Sequence, residues 1–330
     1  MTVSVGIDIA ARSFDLVCRH DGRNQSAQRF AQTPADQAQA VQQLQTLKPD
    51  HIVLEATGIY YLDLAVALAE AGLPVSVINP KSFHHFARLK LNNNKTDAVD
   101  AALLAEFGER MTPSVWTPPA ATHLALRDIG RQINRLTGAR TQAKNRLHAL
   151  KAKQMTPALL IDDEQQAIEA LDQRLERLQQ AARDYLEQSP TLTRQFQALT
   201  AAKGIGPASA IALLAELTCL PDHLKANQVS RHAGLDVRLN QSGTSVDKPS
   251  RLGKTGNAYL RAALYMPALS AVRHDPRAKA FYEGLLKRGK KKIQALCAVM
   301  RKYLTGLWAC LREQTDFDST KLFSDCHLKT

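Results

Sequence analysis

Two apolar runs, VSVGID (3–8) and HIVLEA (51–56), carry the carboxylates Asp8 and Glu55 where a sheet would bury them. Both have the composition of interior strands, and an unpaired carboxylate there is costly. A third segment, NKTDAVDA, sets Asp97 and Asp100 three residues apart, on one face of a helix start. Each acid alone has a plain structural reading. Asp8 could end a strand or turn, and Asp97 could cap a helix with help from Thr96. Together the four predict a site for two divalent cations, Asp8 bridging them, Glu55 on one and Asp97 with Asp100 on the other. Such a pair stabilises both the attacking and the leaving oxygen of a phosphodiester, which points to a nuclease or a strand-transfer enzyme. Lys95 beside them would steady a phosphate oxygen or balance local charge.

The surrounding pattern predicts an α/β domain. Strands at 3–8 and 14–20, with a polar third near 25–30, form a meander. A helix over 35–47, the strand 51–56, a helix over 59–71 closed by Gly72 and a strand at 75–79 follow. This is the order of an RNase H-like fold, in which the first and fourth strands are neighbours, so Asp8 and Glu55 would face each other. The domain is expected over 1–112, with PSVWTPPA inside a linker at 113–121.

Beyond the linker, Leu126, Ile129, Ile133, Leu136, Ala143, Leu147 and Leu150 step by three and four, interrupted by Arg140. Ile168, Leu171, Leu175, Leu178, Ala182 and Tyr185 repeat the pattern, predicting a coiled-coil segment at 122–188, either an antiparallel hairpin or a seam between copies. A mainly helical domain is expected over 189–330, with 234–253 as a polar functional loop.

Charge divides along the same line. Residues 1–120 balance at −2 and the remainder at +14, within a net +12. Metal chemistry in front and polyanion binding behind is the division this suggests. Residues 229–302 hold 16 Lys/Arg against 4 Asp/Glu, densest at Lys287, Arg288, Lys290, Lys291 and Lys292. Lys203, Gly204 and Gly206 in KGIG, followed by Pro207 and an apolar helix, read as a phosphate-binding hairpin or as a plain packing turn. The loop QSGTS places Ser242 among Arg238, Lys248, Arg251 and Lys254, cations able to stabilise a phosphorane, although Ser–Gly loops usually only turn. The five cysteines are scattered and odd in number, which argues against disulfides and a zinc site. Without a signal-peptide pattern or a membrane-length apolar run, the cytoplasm is the expected location.

GID, LEATG, INP, NKTDAVDA followed by LLAEF, then GIG, AGL, QSG and LRAALYMPA occur in this order over roughly 3–320. The combination resembles the insertion-sequence transposases that use a DEDD motif, relatives of the Piv-type DNA invertases. The resemblance implies a RuvC-like N-terminal domain whose acid tetrad is Asp8, Glu55, Asp97 and Asp100, with Mg²⁺ or Mn²⁺. It implies Ser242 as nucleophile in a C-terminal transposase domain. It also implies target and donor DNA, a structured non-coding bridge RNA, and a tetramer or dimer of dimers joined through the coiled-coil segment. Three other readings compete: a RuvC-type nuclease using water, a sugar kinase or actin-like ATPase, and a non-catalytic nucleic-acid scaffold. The ATPase would need a second Gly-rich phosphate loop with Asp, and the chain shows none.

Overall fold

The computed structural model describes residues 2–90, 96–242, 246–253 and 255–323, with backbone alone for 239–242 and 246–250. It contains two compact units, Met1–Pro118 and Pro119–Thr330, which divide inside the segment expected as a linker.

The first unit runs β1 (Val3–Ile9), β2 (Ser13–His20), β3 (Arg23–Asn24), β4 (Gln28–Ala31), α1 (Pro34–Leu47), β5 (His51–Glu55), α2 (Leu62–Glu70), β6 (Val75–Ile78), α3 (Pro80–Leu89) and α4 (Asp97–Met111). The sheet order is β3-β2-β1-β5-β6, with β4 also on β2. β1 pairs antiparallel with β2 and parallel with β5, so the expected neighbourhood of the first strand and HIVLE holds. The expected third strand is instead two short pieces, β3 and β4, both on β2. INP leads into α3, whose amide at Lys81 is capped by Asn79 and which has Pro80 at its first position. After α4, Trp116 donates its backbone N–H to Val75 of the edge strand β6 at 2.7 Å.

Strand alternation sorts the two faces of the sheet. Val5, Ile7, Phe14, Leu16, Ile52 and Leu54 build one core with Leu44, Leu64 and Leu68 of α1 and α2. The opposite face is covered by α4, whose Leu103, Leu104 and Phe107 pack with Val53 and Phe86. Burying a leucine-sized side chain contributes about 1.5–3 kcal/mol, so these contacts alone hold α4 firmly.

The second unit comprises α5 (Ala121–Ala152), α6 (Ala158–Glu187), α7 (Pro190–Thr200), α8 (Pro207–Leu217), α9 (Ala226–His232), β7 (Val237–Ser242), β8 (Val246–Leu252), α10 (Ala258–His274), α11 (Pro276–Lys287), α12 (Lys292–Glu313) and α13 (Ser319–Leu322). α5 and α6 are antiparallel partners within the chain: Arg140 pairs with Asp172 at 2.6 Å and Arg146 with Glu164 at 2.6 Å. Arg140, the interruption in the apolar pattern, thus spans the two helices. Leu126, Ile133, Leu136, Leu175, Ala182 and Leu186 join the core of the C-terminal helices. Met155 and Leu159, at the far end of the pair, are 87% and 76% exposed. The polar segment expected as a loop is largely an antiparallel ribbon, β7–β8, with an irregularity between Arg238 and Asn240. A two-stranded ribbon is not obliged to show the apolar alternation of a sheet covering a core, which hides it from a sequence reading.

Candidate active site and nucleic-acid surface

The acids come together because α4 lies almost directly on the backbone of β1. A Cβ on Gly6 would meet the carbonyl oxygen of Ala101 at 2.0 Å and the amide nitrogen of Ala105 at 2.3 Å. Farther along, Ser4 Oγ donates to the Ala105 carbonyl at 2.7 Å, and a Cβ on Gly108 would meet Ser4 Oγ at 2.4 Å. Strand and helix therefore run in opposite directions. Two strand residues cover about 6.7 Å, the rise of between four and five helical residues. Stepping from Gly6 to Asp8 therefore moves the facing helix position from 101–105 back to its first turn, where Asp97 and Asp100 lie. Glu55 follows Leu54, the register partner of Ile7, so it stands beside Asp8 on the parallel neighbour.

Electrostatics register this convergence. The Asp8 carboxyl is pushed up to about 6, first by burial and then by the charges of Asp100, Asp97 and Glu55. Thr96 caps α4 by accepting from the Val99 amide at 3.3 Å, so Asp97 is the first helical residue rather than the cap. Asp97 is ion-paired with Arg29 at 2.7 Å, and the Thr57 hydroxyl donates to Glu55. No three His, Cys, Asp or Glu side chains among the described residues form a group that could hold a metal ion. The donor set nevertheless suits a hard divalent cation by its chemistry: four carboxylates, one of which, Asp8, is raised first by burial and then by the charges of the other three. Lys95 lies outside the described residues.

Two residues of this site escaped the sequence reading. Asp15, only 4% exposed, accepts both Nε and Nη2 of Arg29, at 3.0 and 2.8 Å. An acid inside the apolar strand FDLVC was the available signal.

In the second unit, Ser242 ends β7 and pairs through its backbone with Val246; residues 243–245 and Lys254 lie outside the described residues. Lys248 sits on β8 opposite Asn240. The base of the ribbon is well anchored. The Gly253 amide donates to Asp236 O at 2.8 Å, and the Asn257 amide donates to His232 O at 2.7 Å. Asn257 also caps α10 and donates to buried Glu216, which takes a two-pronged Arg131 at 2.7 and 2.9 Å. Arg238 donates to Thr255 Oγ1 near the same base.

Beside it opens a groove of about 1260 Å³ lined by Leu235, Leu252, Ala262, Met300 and others, with Arg251, Arg261, Lys290 and Arg301 among its walls and no carboxylate among the described lining residues. Tyr265, 42% exposed, and Ile293, 54% exposed, also border it. Lys287 ends α11, Arg288, Lys290 and Lys291 lie in the turn that follows, and Lys292 opens α12. Lys291 and Lys292 crowd the positive end of the α12 dipole, a placement that disfavours cations by about 0.3–1 kcal/mol each. Gly204 has a plain packing reason: it has φ +93°, and a Cβ there would meet Pro267 O at 2.8 Å. Above Gly206, the N-cap of α8, nothing stands within 4 Å of such a Cβ, and Lys203 is exposed.

An acid-rimmed α/β unit joined to a basic helical unit is the arrangement of a DNA-processing enzyme, and sequence comparison makes the class definite. Residues 5–153 match the DEDD transposase profile of the IS110 type, and residues 196–283 match the transposase profile of the IS116/IS110/IS902 family. The chain belongs to this family of insertion-sequence transposases. The pilin gene-inverting protein of Moraxella bovis is 30% identical over 277 residues, 81% of this chain and 82% of that protein. A probable family 20 transposase of Pseudomonas aeruginosa is 27% identical over 349 residues, covering 94% of this chain and 97% of its own. Among solved structures, the Thermus thermophilus RuvC in complex with a Holliday junction substrate aligns with 35% of this chain and 99% of that one, at 16% identity and a TM-score of 0.29. No helix among the described residues is long and apolar enough to cross a membrane.

Proposed function

We propose that this transposase cuts and rejoins DNA through a covalent phosphoserine, with Ser242 as nucleophile and Asp8, Glu55, Asp97 and Asp100 holding Mg²⁺, or Mn²⁺ in its place. The observation that supports the reading is that Asp8, itself partly buried, feels the charges of Asp100, Asp97 and Glu55, which favours positive charge there. Cations bound there would offset charge on the scissile phosphate and the departing oxygen.

The remaining chemistry belongs to the chain itself. Ser242 Oγ bonds to phosphorus as the P–O3′ bond breaks, and the hydroxyl proton ends on the 3′ oxygen. The products are a 5′-phosphoserine and a free 3′ hydroxyl. The ester conserves the bond's free energy, so attack by another 3′ hydroxyl rejoins strands without ATP. Arg238 and Arg251, with Lys248 and Lys254 close by in the sequence, stabilise the pentavalent phosphorane in this reading. The groove is suited to grip nucleic acid through its cations, and Tyr265 offers a face on which an unpaired base stacks.

Target and donor DNA are the substrates of this reading, and a structured bridge RNA is the guide. The serine and the acids lie in different units of the chain, which is compatible with an active site completed in a tetramer or dimer of dimers. Ser242→Ala tests the mechanism: strand exchange and the protein–DNA ester should both vanish while DNA binding persists. Undiminished cleavage by that variant would instead assign the chain to nucleases that use water.

A further inference from the structure

Asp8, Asp15 and Arg29 form a single row across three strands. Asp8 is the register partner of Asp15 on β2, and Asp15 is the register partner of Arg29 on β4. Paired residues point to the same face, here the face under α4. Asp15 is buried in the middle of this row, where an apolar residue would pack at less cost. Its one visible use is to grip the guanidinium of Arg29 in a two-pronged bond at 3.0 and 2.8 Å. The same Nη2 reaches Asp97 at 2.7 Å, although Arg29 itself is 61% exposed. A fixed cation is thus delivered from the sheet to the first residue of the helix that carries two of the four acids.

We propose that Arg29, oriented by Asp15, is a positioning residue that serves as the resident counter-charge of the acid cluster. It holds Asp97 while no metal is bound and competes with an incoming divalent cation for that carboxylate. The inference rests on the reading of the four acids as a cation site. It gives the sheet edge a function that neither the fold nor the tetrad requires: setting the cation concentration at which the site fills. Arg29→Met alone would strand a buried charge on Asp15, and that new acid could itself bind metal. The informative variant therefore removes the pair together, as Asp15→Asn with Arg29→Met.

Mn²⁺ binding to the full chain, followed by electron paramagnetic resonance without DNA, is the test. The double variant should bind Mn²⁺ roughly two- to fivefold more tightly than the parent, the range of a partly exposed ion pair. Arg29→Lys, which keeps the charge, should stay near the parent value. Unchanged or weaker binding by a double variant with a parental melting profile would overturn the proposal. So would tightening seen only in Arg29→Met, since that would trace the effect to the orphaned Asp15. Should the double variant not fold, Arg29→Gln with Asp15→Asn removes the same charges with polar side chains and is read the same way. Mn²⁺ binding that survives Asp8→Asn, or is absent from the parent, would instead overturn the cation-site reading, and this inference with it.

Discussion

Asp8 is held at a cost to the fold. Its carboxyl titrates at about 6 rather than 3.8, so the native chain binds a proton more readily than the unfolded one. The sign follows directly: the charged form destabilises the native state above pH 6, and the penalty fades as pH falls from 6 towards 4. A shift of about two units corresponds to an upper bound of about 3 kcal/mol at neutral pH, which solvent screening of this partly exposed group reduces. Asp8→Asn should therefore melt at a higher temperature than the parent at pH 7.5, converge with it near pH 4, and have no strand-transfer activity. Equal melting at pH 7.5 would show that neither burial nor the neighbouring acids penalise the charged Asp8. Protons also compete with cations for this carboxylate, so cation affinity should fall as pH drops through 6. The acids themselves were readable in the sequence, because a carboxylate at the end of an apolar run is chemically conspicuous. Arg29 was not, because it stands 14 residues from Asp15 and 68 from Asp97, and only strand register and the packing of α4 on the sheet unite them.

At the scale of elements, the site depends on one helix lying close to one strand. Gly6 and Gly108 make that approach possible by lacking a side chain. Gly6→Ala would drive a methyl into the backbone of α4 and should cost about 3 kcal/mol or more, with loss of cleavage even though every acid remains. Gly138 is the useful contrast, a helical glycine with nothing within 4 Å of its Cβ position. Gly138→Ala should stabilise the chain by about 0.5–1 kcal/mol through helix propensity alone. Thermal melting of the two variants checks both expectations. Most strands and helices of the first unit followed from periodicity, but α3 and the division of the third strand into β3 and β4 did not. Nor did the ribbon bearing Ser242, since its sequence alternates no apolar face.

Taken whole, the molecule separates its charges by unit, and binding should follow the basic part. Replacing Lys290, Lys291 and Lys292 with alanine should flatten the dependence of log affinity on log salt for duplex DNA by about 0.9 for each phosphate that these lysines neutralise. Cleavage chemistry at saturating DNA should survive. A slope that does not change would place the DNA elsewhere on the surface. Local chemistry settled part of this in advance: burial preference set which runs of the first unit became strands, and the cost of buried charge singled out acids at their ends. Distance along the chain carries no information about which side chains share a face across a sheet. Strand register and the contact of α4 with Gly6 therefore decided that Asp15 and Arg29 would share a row with Asp8, and that the first turn of α4 would lie toward that end of β1.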